Sequence, residues 1–231
     1  MSERAFRPRW DDTVVLAGLT VCVAAVALVM VALGRASALE AVSFATGAVA
    51  VWLTVKENIW NFPIGIINTA GYSVVFFQAH LYGDASLNVV YCILGVMGWY
   101  LWLHGGEQRS ALQVSGAGAT ELGLVAVFVA LGTLLLWKTL HFVGGSASFW
   151  DAATTSLSLG AQWLLNRKKV ENWHIWIAAD AIYVPLYVSR GLNLTAVLYA
   201  VFLVMAVVGL FRWRAVYEGE RVGTSSPGIE A

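Results

Sequence analysis

The sequence predicts an all-α integral membrane protein of eight transmembrane helices in a 1 + (3 + 1 + 3) order: one helix, then two three-helix repeats separated by a single crossing. Three observations lead there. Hydrophobic residues make up 59% of the chain and charged residues 12%, with a mean hydropathy of +0.71, whereas soluble domains carry about 25% charged residues. Eight apolar stretches approach the length of about 20 residues that spans a bilayer. Finally, residues 61–102 laid over 172–213 agree at 12 of 42 positions, where apolar composition alone gives roughly four. At this offset of 111 the identities include Asn61/Asn172, Ile64/Ile175, Tyr72/Tyr183, Leu81/Leu192, Gly98/Gly209 and Trp102/Trp213.

The first span, 14–34, follows Arg4, Arg7 and Arg9. Its apolar run is about 21 residues against 7–15 for a signal-peptide core, so it reads as a membrane helix. Spans 37–55, 61–81 and 84–104 form the first repeat, and 148–166, 171–190 and 192–212 the second. A three-span unit ends on the face opposite its start. The crossing at 120–142, set off by the small-residue linker 114–119 and by Gly144-Gly145-Ser146, therefore restores a parallel orientation. Parallel repeats about an axis along the membrane normal are a transporter plan, with the substrate between them, as in the SWEETs. The expected segments are 1–36 (N-terminus and extra helix), 37–104, 105–147 (linker and connecting helix), 148–216, and a disordered tail at 217–231 whose Gly, Ser, Pro and mixed charge bury little.

Charge sets the orientation. Eleven cations (Arg4, Arg7, Arg9, Lys56, Arg109, Arg167, Lys168, Lys169, Arg212, Arg214, Arg221) fall on the side of both termini, against Arg35, Lys138 and Arg190 on the other. Both termini are expected in the cytoplasm of a plasma (inner) membrane protein.

Other classes are excluded. Zero net charge gives no attraction for nucleic acid. Cys22 and Cys92 lie in different spans, and His80, His104, His141 and His174 are scattered near loops without ligand spacing. There is no phosphate-cradling glycine loop, and Lys138 sits at a span end, unlike a retinal-bearing lysine. No catalytic residue, metal or cofactor is expected.

The second, third, sixth and seventh spans carry polar residues and should face protein or a cavity. In the seventh, Asn172, Trp176, Asp180, Tyr183 and Tyr187 share one helical face. A mid-span Asp180 costs about 2.5–3.5 kcal/mol on insertion scales and demands a partner, a cavity or a proton. It reads either as a protonated carboxyl bonded to a neighbouring Thr or Asn, or as the wall of a substrate cavity. The third span has a matching stripe of Asn61, Gly65, Asn68, Tyr72, Gln78 and Tyr82, with Pro63 in a first turn or at a local opening. Asn88 and Tyr91 add a shared face in the fourth span, and Gln162 a lone amide in the sixth. Interhelical hydrogen bonding is the alternative use of each amide. Thr154, Thr155 and Ser158 weigh little, since such hydroxyls bond back to helix carbonyls, and Asp151 is expected to be hydrated at the outer interface. Trp10, Trp60, Trp137, Trp150 and Trp213 read as interface belt. Trp52, Trp163, Trp173 and Trp176 lie inward, where an aromatic face can stack on a flat heterocycle or cation.

Residues 56–102, with Trp60–Pro63–Gly65, Leu81-Tyr82-Gly83 and Tyr91…Gly98-Trp99-Tyr100-x-Trp102, resemble the first signature of the PnuC vitamin-precursor transporters. Residues 151–213, with DAATTSLSLGAQWLLNRKKVENWHIWIAAD and Gly209-x-x-x-Trp213, resemble the second. The resemblance implies a SWEET-like fold, often trimeric, and facilitated diffusion of nicotinamide riboside, trapped inside by phosphorylation. WNFPIGI and Lys169-x-Glu171-Asn172-Trp173 look like nicotinamide riboside members, while relatives carry riboflavin or thiamine. A non-transporting sensor or scaffold is the alternative of another class. The substrate is a flat pyridinium on a ribose. Trp173, Trp176 and Tyr183 would stack on the ring, Asp180 would offset its charge, and Asn68, Asn88, Gln78 and Gln162 would bind hydroxyls and the amide; Tyr72, Tyr91 and Tyr187 complete the expected lining.

Overall fold

The computed structural model describes residues 12–32, 34, 38–78, 80, 82–142, 149–191 and 193–224. Within them lie eight α-helices: α1 (Asp12–Ala32), α2 (Ala38–Val55), α3 (Asn61–Gln78), α4 (Tyr82–His104), α5 (Ala119–Phe142), α6 (Phe149–Asn166), α7 (Asn172–Ser189) and α8 (Asn193–Thr224). Every predicted span has its helix, with ends displaced by a few residues. The exception is the last, which continues through 217–224 where the sequence predicts a tail. Tyr217 explains part of this: it packs against the core and lies over Gly116, so the chain gains contacts by staying helical. Arg4, Arg7, Arg9, Trp10, Gly144-Gly145-Ser146 and 225–231 lie outside the described residues.

Composition divides the helices by role. Ala85–His104, Ala119–Thr139 and Thr195–Gly219 are long and apolar enough to cross a membrane on length and composition alone. By contrast α6 buries a small-residue face running from Ala152 to Ala161. Small side chains let neighbouring backbones approach and keep polar atoms off lipid. Pro63 falls in the first turn of α3, where its missing N–H would be unpaired anyway.

The duplication is visible in atomic detail. After α2 and α6 the chain turns through Glu57 (φ 56°) and Lys168 (φ 50°), equivalent positions in the left-handed region. The same backbone bonds close both turns. Glu57 N–H reaches Thr54 O at 2.9 Å and Lys168 N–H reaches Leu165 O at 2.9 Å; Asn58 N–H reaches Leu53 O at 2.8 Å and Lys169 N–H reaches Leu164 O at 3.0 Å. The next helix opens alike: the Asn61 amide donates to Asn58 O at 3.0 Å and the Asn172 amide to Lys169 O at 2.6 Å. These two asparagines, placed by the sequence on polar stripes, thus close loops.

Packing repeats as well. Within each unit the second and third helices pair, α3 with α4 and α7 with α8; between units α4 packs on α6 and α8 on α2. Exchanging the repeats converts one inter-unit contact into the other, which is the signature of an isologous, two-fold arrangement. The largest buried cluster sits where α2, α4 and α6 end and α3 and α7 begin, and includes Val55, Phe62, Trp102, Leu165, Trp173 and Trp213. Phe62 meets Trp102 edge-on (5.0 Å, 90°), and Trp173 meets Trp213 edge-on (5.4 Å, 87°). A glycine one helical turn before each tryptophan makes room. A Cβ at Gly98 would come within 2.5 Å of the Phe62 ring, and one at Gly209 within 2.7 Å of Trp173. Trp213, expected at the interface, is instead fully buried, because Gly209 lets Trp173 in beside it.

Gly98→Ala and Gly209→Ala are each expected to destabilise the protein by about 1–3 kcal/mol through overpacking, read as a lower melting temperature in detergent. Gly65→Ala, where nothing lies within 4 Å of the added carbon, is expected to be neutral.

Candidate functional site

The polar face of α7 divides by depth. At its start Asn172 and Trp173 belong to the core, and Trp176 is half-buried along the edge of the same cluster. Beyond them Asp180 is 4% exposed, and among the described residues no cation pairs with it. One turn further, Tyr183 stacks on Tyr187 (5.6 Å, 12°), and both rings meet Tyr199 of α8, at 4.5 and 5.0 Å. The Tyr183 hydroxyl faces Thr154 and Ser158 of α6, and Tyr91 of α4 reaches the same Ser158. Tyr187 and Tyr199 also interact through their hydroxyls. Pro185 lies between Tyr183 and Tyr187 and has no N–H to give the carbonyl of Ala181, which loosens the ladder here. At the far end of α7 Arg190 donates to Asp151 at 2.5 Å, tying it to the start of α6. Asp151 is thus an ion-pair partner, not simply a hydrated interface residue.

Four helices therefore bring together Tyr91, Ser158, Asp180, Tyr183, Tyr187 and Tyr199. Chemically this is an aromatic surface edged with hydroxyls, beside a buried carboxyl lacking a countercharge. It can hold a flat, cationic, hydroxyl-bearing solute, and it holds no nucleophile–base pair.

Other expected lining residues have different roles. Trp173, 2% exposed, has its ring enclosed by Trp213 and Gly209 and offers no free face to a ligand. Gln162 donates to Asn166 Oδ1 (2.9 Å), and Asn166 donates to Leu94 O (2.8 Å), so this amide joins the α6–α4 contact. Asn68 donates to Thr46 Oγ1 across α3 and α2. Gln78 is exposed at the end of α3. Trp163 is exposed with Arg167 over its ring at 5.7 Å. Tyr72 and Asn88 are half-buried in α3 and α4. Tyr199 is the residue that sequence reasoning missed. Its counterpart under the offset of 111 is Asn88, so the repeat itself carried the signal.

The Lys169-x-Glu171 motif also proves structural. Lys169 Nζ donates to Ser115 Oγ (3.0 Å) and Gly116 O (3.1 Å), and Glu171 accepts the Ala117 N–H (2.8 Å). Together they fasten the linker before α5 to the second repeat. The back-bonding expected of Thr154 is present, its hydroxyl donating to Trp150 O at 2.9 Å.

Residues 37–215 match the family model described as nicotinamide mononucleotide transporter. The chain belongs to this family, the PnuC transporters. It is accordingly a multi-pass membrane transporter and not an enzyme. The match leaves α1 outside. Curated relatives include the nicotinamide riboside transporter PnuC of Escherichia coli K12, 27% identical over 203 residues that cover 76% of this chain and 84% of the relative. The PnuC of Neisseria mucosa is 27% identical, with 76% and 71% covered. The riboflavin/roseoflavin transporter RibM of Streptomyces davaonensis is 25% identical, with 72% and 80% covered. A crystal structure of the vitamin B3 transporter PnuC superposes with a TM-score of 0.72 at 22% identity, covering 94% of this chain and 96% of the other, which establishes a shared PnuC fold.

Lys169→Ala is expected to cost about 1–2 kcal/mol of stability through lost charge-assisted bonds and to speed proteolysis within 110–118. Ligand affinity should stay unchanged, whereas a substrate-binding Lys169 would lower it.

Proposed function

We propose that the chain is a facilitative transporter of nicotinamide riboside, moved by rocking of two parallel, SWEET-like three-helix units about a midplane site. The observation that carries this reading is the buried Asp180 carboxyl without a countercharge beside the Tyr183–Tyr187–Tyr199 stack. A pyridinium ring supplies the missing positive charge and a flat face for the tyrosines, and its ribose has hydroxyls for Tyr91 and Ser158. Trp176, Tyr72 and Asn88 line the approach from the two repeats. The names of the relatives from Escherichia coli and Neisseria mucosa support the same substrate.

Chemistry separates the rivals. A nucleotide would bring a phosphate of about −2 charge toward Asp180, and the guanidinium at this end, Arg190, is already engaged by Asp151. The nucleoside therefore fits better than the nucleotide. Riboflavin is the second reading, favoured by the RibM relative, but its neutral ring leaves Asp180 uncompensated. Thiamine is also a flat cation. The excess of cations at the 57/168 end supports cytoplasmic termini, with cytoplasmic phosphorylation trapping the solute. We extend to this chain the trimer that the family resemblance implies.

Calorimetric titration with nicotinamide riboside, riboflavin and thiamine is expected to show saturable binding of the first alone. Asp180→Asn should weaken it about 10- to 100-fold, the worth of one charge-assisted contact, and Tyr199→Ala should weaken it more than Tyr199→Phe. Binding of riboflavin alone would overturn the substrate. In proteoliposomes lacking a kinase, uptake should stop at equal concentrations and ignore ionophores; accumulation against a gradient would overturn uniport.

A further inference from the structure

The aromatic cluster at the 57/168 end has a geometric property that the substrate cluster lacks. Two contacts here join a residue to its own counterpart in the other repeat. Trp102 and Trp213, separated by the offset of 111, have ring centroids 5.9 Å apart at 54°. Glu57 and Lys168, separated by the same 111, form an ion pair at 3.2 Å. In a two-fold arrangement a residue meets its counterpart only on the axis. These contacts therefore mark where the axis leaves this end of the bundle.

We infer that the Glu57–Lys168 ion pair latches a gate on the path between the repeats, and that the rings of Phe62, Trp102, Trp173 and Trp213 are the closed gate. All four rings are buried, and the two edge-on pairs flank the Trp102–Trp213 contact, so the axis is filled with side chains at this level. The latch and the rings are joined through one residue. Lys168 Nζ lies 4.5 Å from the centre of the Trp102 ring while holding Glu57, so a positive charge bridges the carboxylate and the indole face. A further tie crosses between repeats where Trp102 Nε1 donates to Leu165 O at 3.1 Å. Had the duplication kept one residue type at 57 and 168, like charges would face each other on the axis. The divergence to Glu and Lys turns that repulsion into attraction.

The inference rests on the rocking reading above. Units that rock about a central site must part at one end to release solute, and here parting means separating Lys168 from Glu57 and Trp102 from Trp213. The pair is only partly shielded from water, with side chains 10% and 22% exposed, so it is a latch that water can help open.

The test uses the full chain with Cys22→Ala and Cys92→Ser, and adds Met205→Cys, a fully buried position in the same cluster. A membrane-impermeant maleimide applied from the 57/168 side should label this cysteine slowly. Adding Glu57→Gln or Lys168→Met should speed labelling by about fivefold or more, the range of a typical coupling between two states. The exchanged pair, Glu57→Lys with Lys168→Glu, should return it toward the starting rate. Unchanged labelling in both single variants overturns the latch, as does acceleration that the exchange fails to reverse. Labelling uses no substrate, so it stands apart from which vitamin is carried. As a second measurement, Glu57→Cys with Lys168→Cys joined by a short reducible bifunctional thiol reagent should stop flux of whichever vitamin the unlinked protein carries. Binding should persist, and flux should return on reduction; undiminished flux in the linked protein overturns the gate.

Discussion

Everything in this bundle depends on a glycine standing one helical turn before a tryptophan, once in α4 and once in α8. Removing a single Cβ at Gly98 lets Phe62 lie against the helix and present its edge to Trp102; removing it at Gly209 does the same for Trp173 and Trp213. With both aromatic pairs seated, Trp102 and Trp213 meet each other, and the two units acquire a common axis. In lipid there is no hydrophobic drive between apolar helix faces, so close van der Waals packing has to hold the units together. Glycine–aromatic insertion is a dense form of that packing, and it is placed twice.

The duplication builds the frame, and its divergence builds the chemistry. Loop bonds, left-handed turn residues, aromatic edges and glycines recur in both halves. The tyrosine–aspartate cluster recurs only at Tyr72/Tyr183. Under the offset of 111, Asp180 answers to Thr69, Tyr199 to Asn88, and Phe202 to Tyr91. At these positions the second repeat offers a carboxyl and two rings where the first offers a hydroxyl, an amide and a phenol. An asymmetric solute, aromatic at one end and a sugar at the other, suits a site whose two halves have diverged in this sense.

Helix number, order and approximate ends were legible in the sequence because hydropathy and the 3.6-residue period report directly on them. The repeat was legible because Asn, Tyr and Trp identities are improbable by composition. Depth was not. The stripe from Asn172 to Tyr187 shows which side of α7 is polar, but not that its first turn is consumed by loop closure and core while only Asp180 onward meets other polar groups. The same holds for amides: nothing local distinguishes Gln162, spent on Asn166, which in turn bonds the α4 backbone, from an amide facing solute. Tyr199 escaped notice because it sits in an otherwise apolar helix, and only its alignment with Asn88 gives it away. The helical turns at 217–224 depend on Tyr217 reaching the core from beyond the membrane-length segment, a tertiary contact that polar composition conceals.

The two clusters also divide the labour of a carrier in energetic terms. The tyrosine–aspartate group retains groups whose needs a solute can meet: a carboxyl without a cation, and hydroxyls with spare lone pairs. At the other end the charges pair with each other and the rings pack together, while the indole N–H groups of Trp173 and Trp213 stay buried without a hydrogen-bond partner among the described residues. The proposed site lies along α7 at Asp180 and beyond, and the paired charges lie on the axis. A solute that fills the first contributes free energy that the protein alone lacks, which is what a ligand needs in order to shift the balance between two conformations. The linker fastened by Lys169 and Glu171 crosses the sealed end, bonding Trp102 through Leu112 and Lys168 through Ser115 at 3.0 Å each. It thereby bonds to both repeats at this end of the bundle.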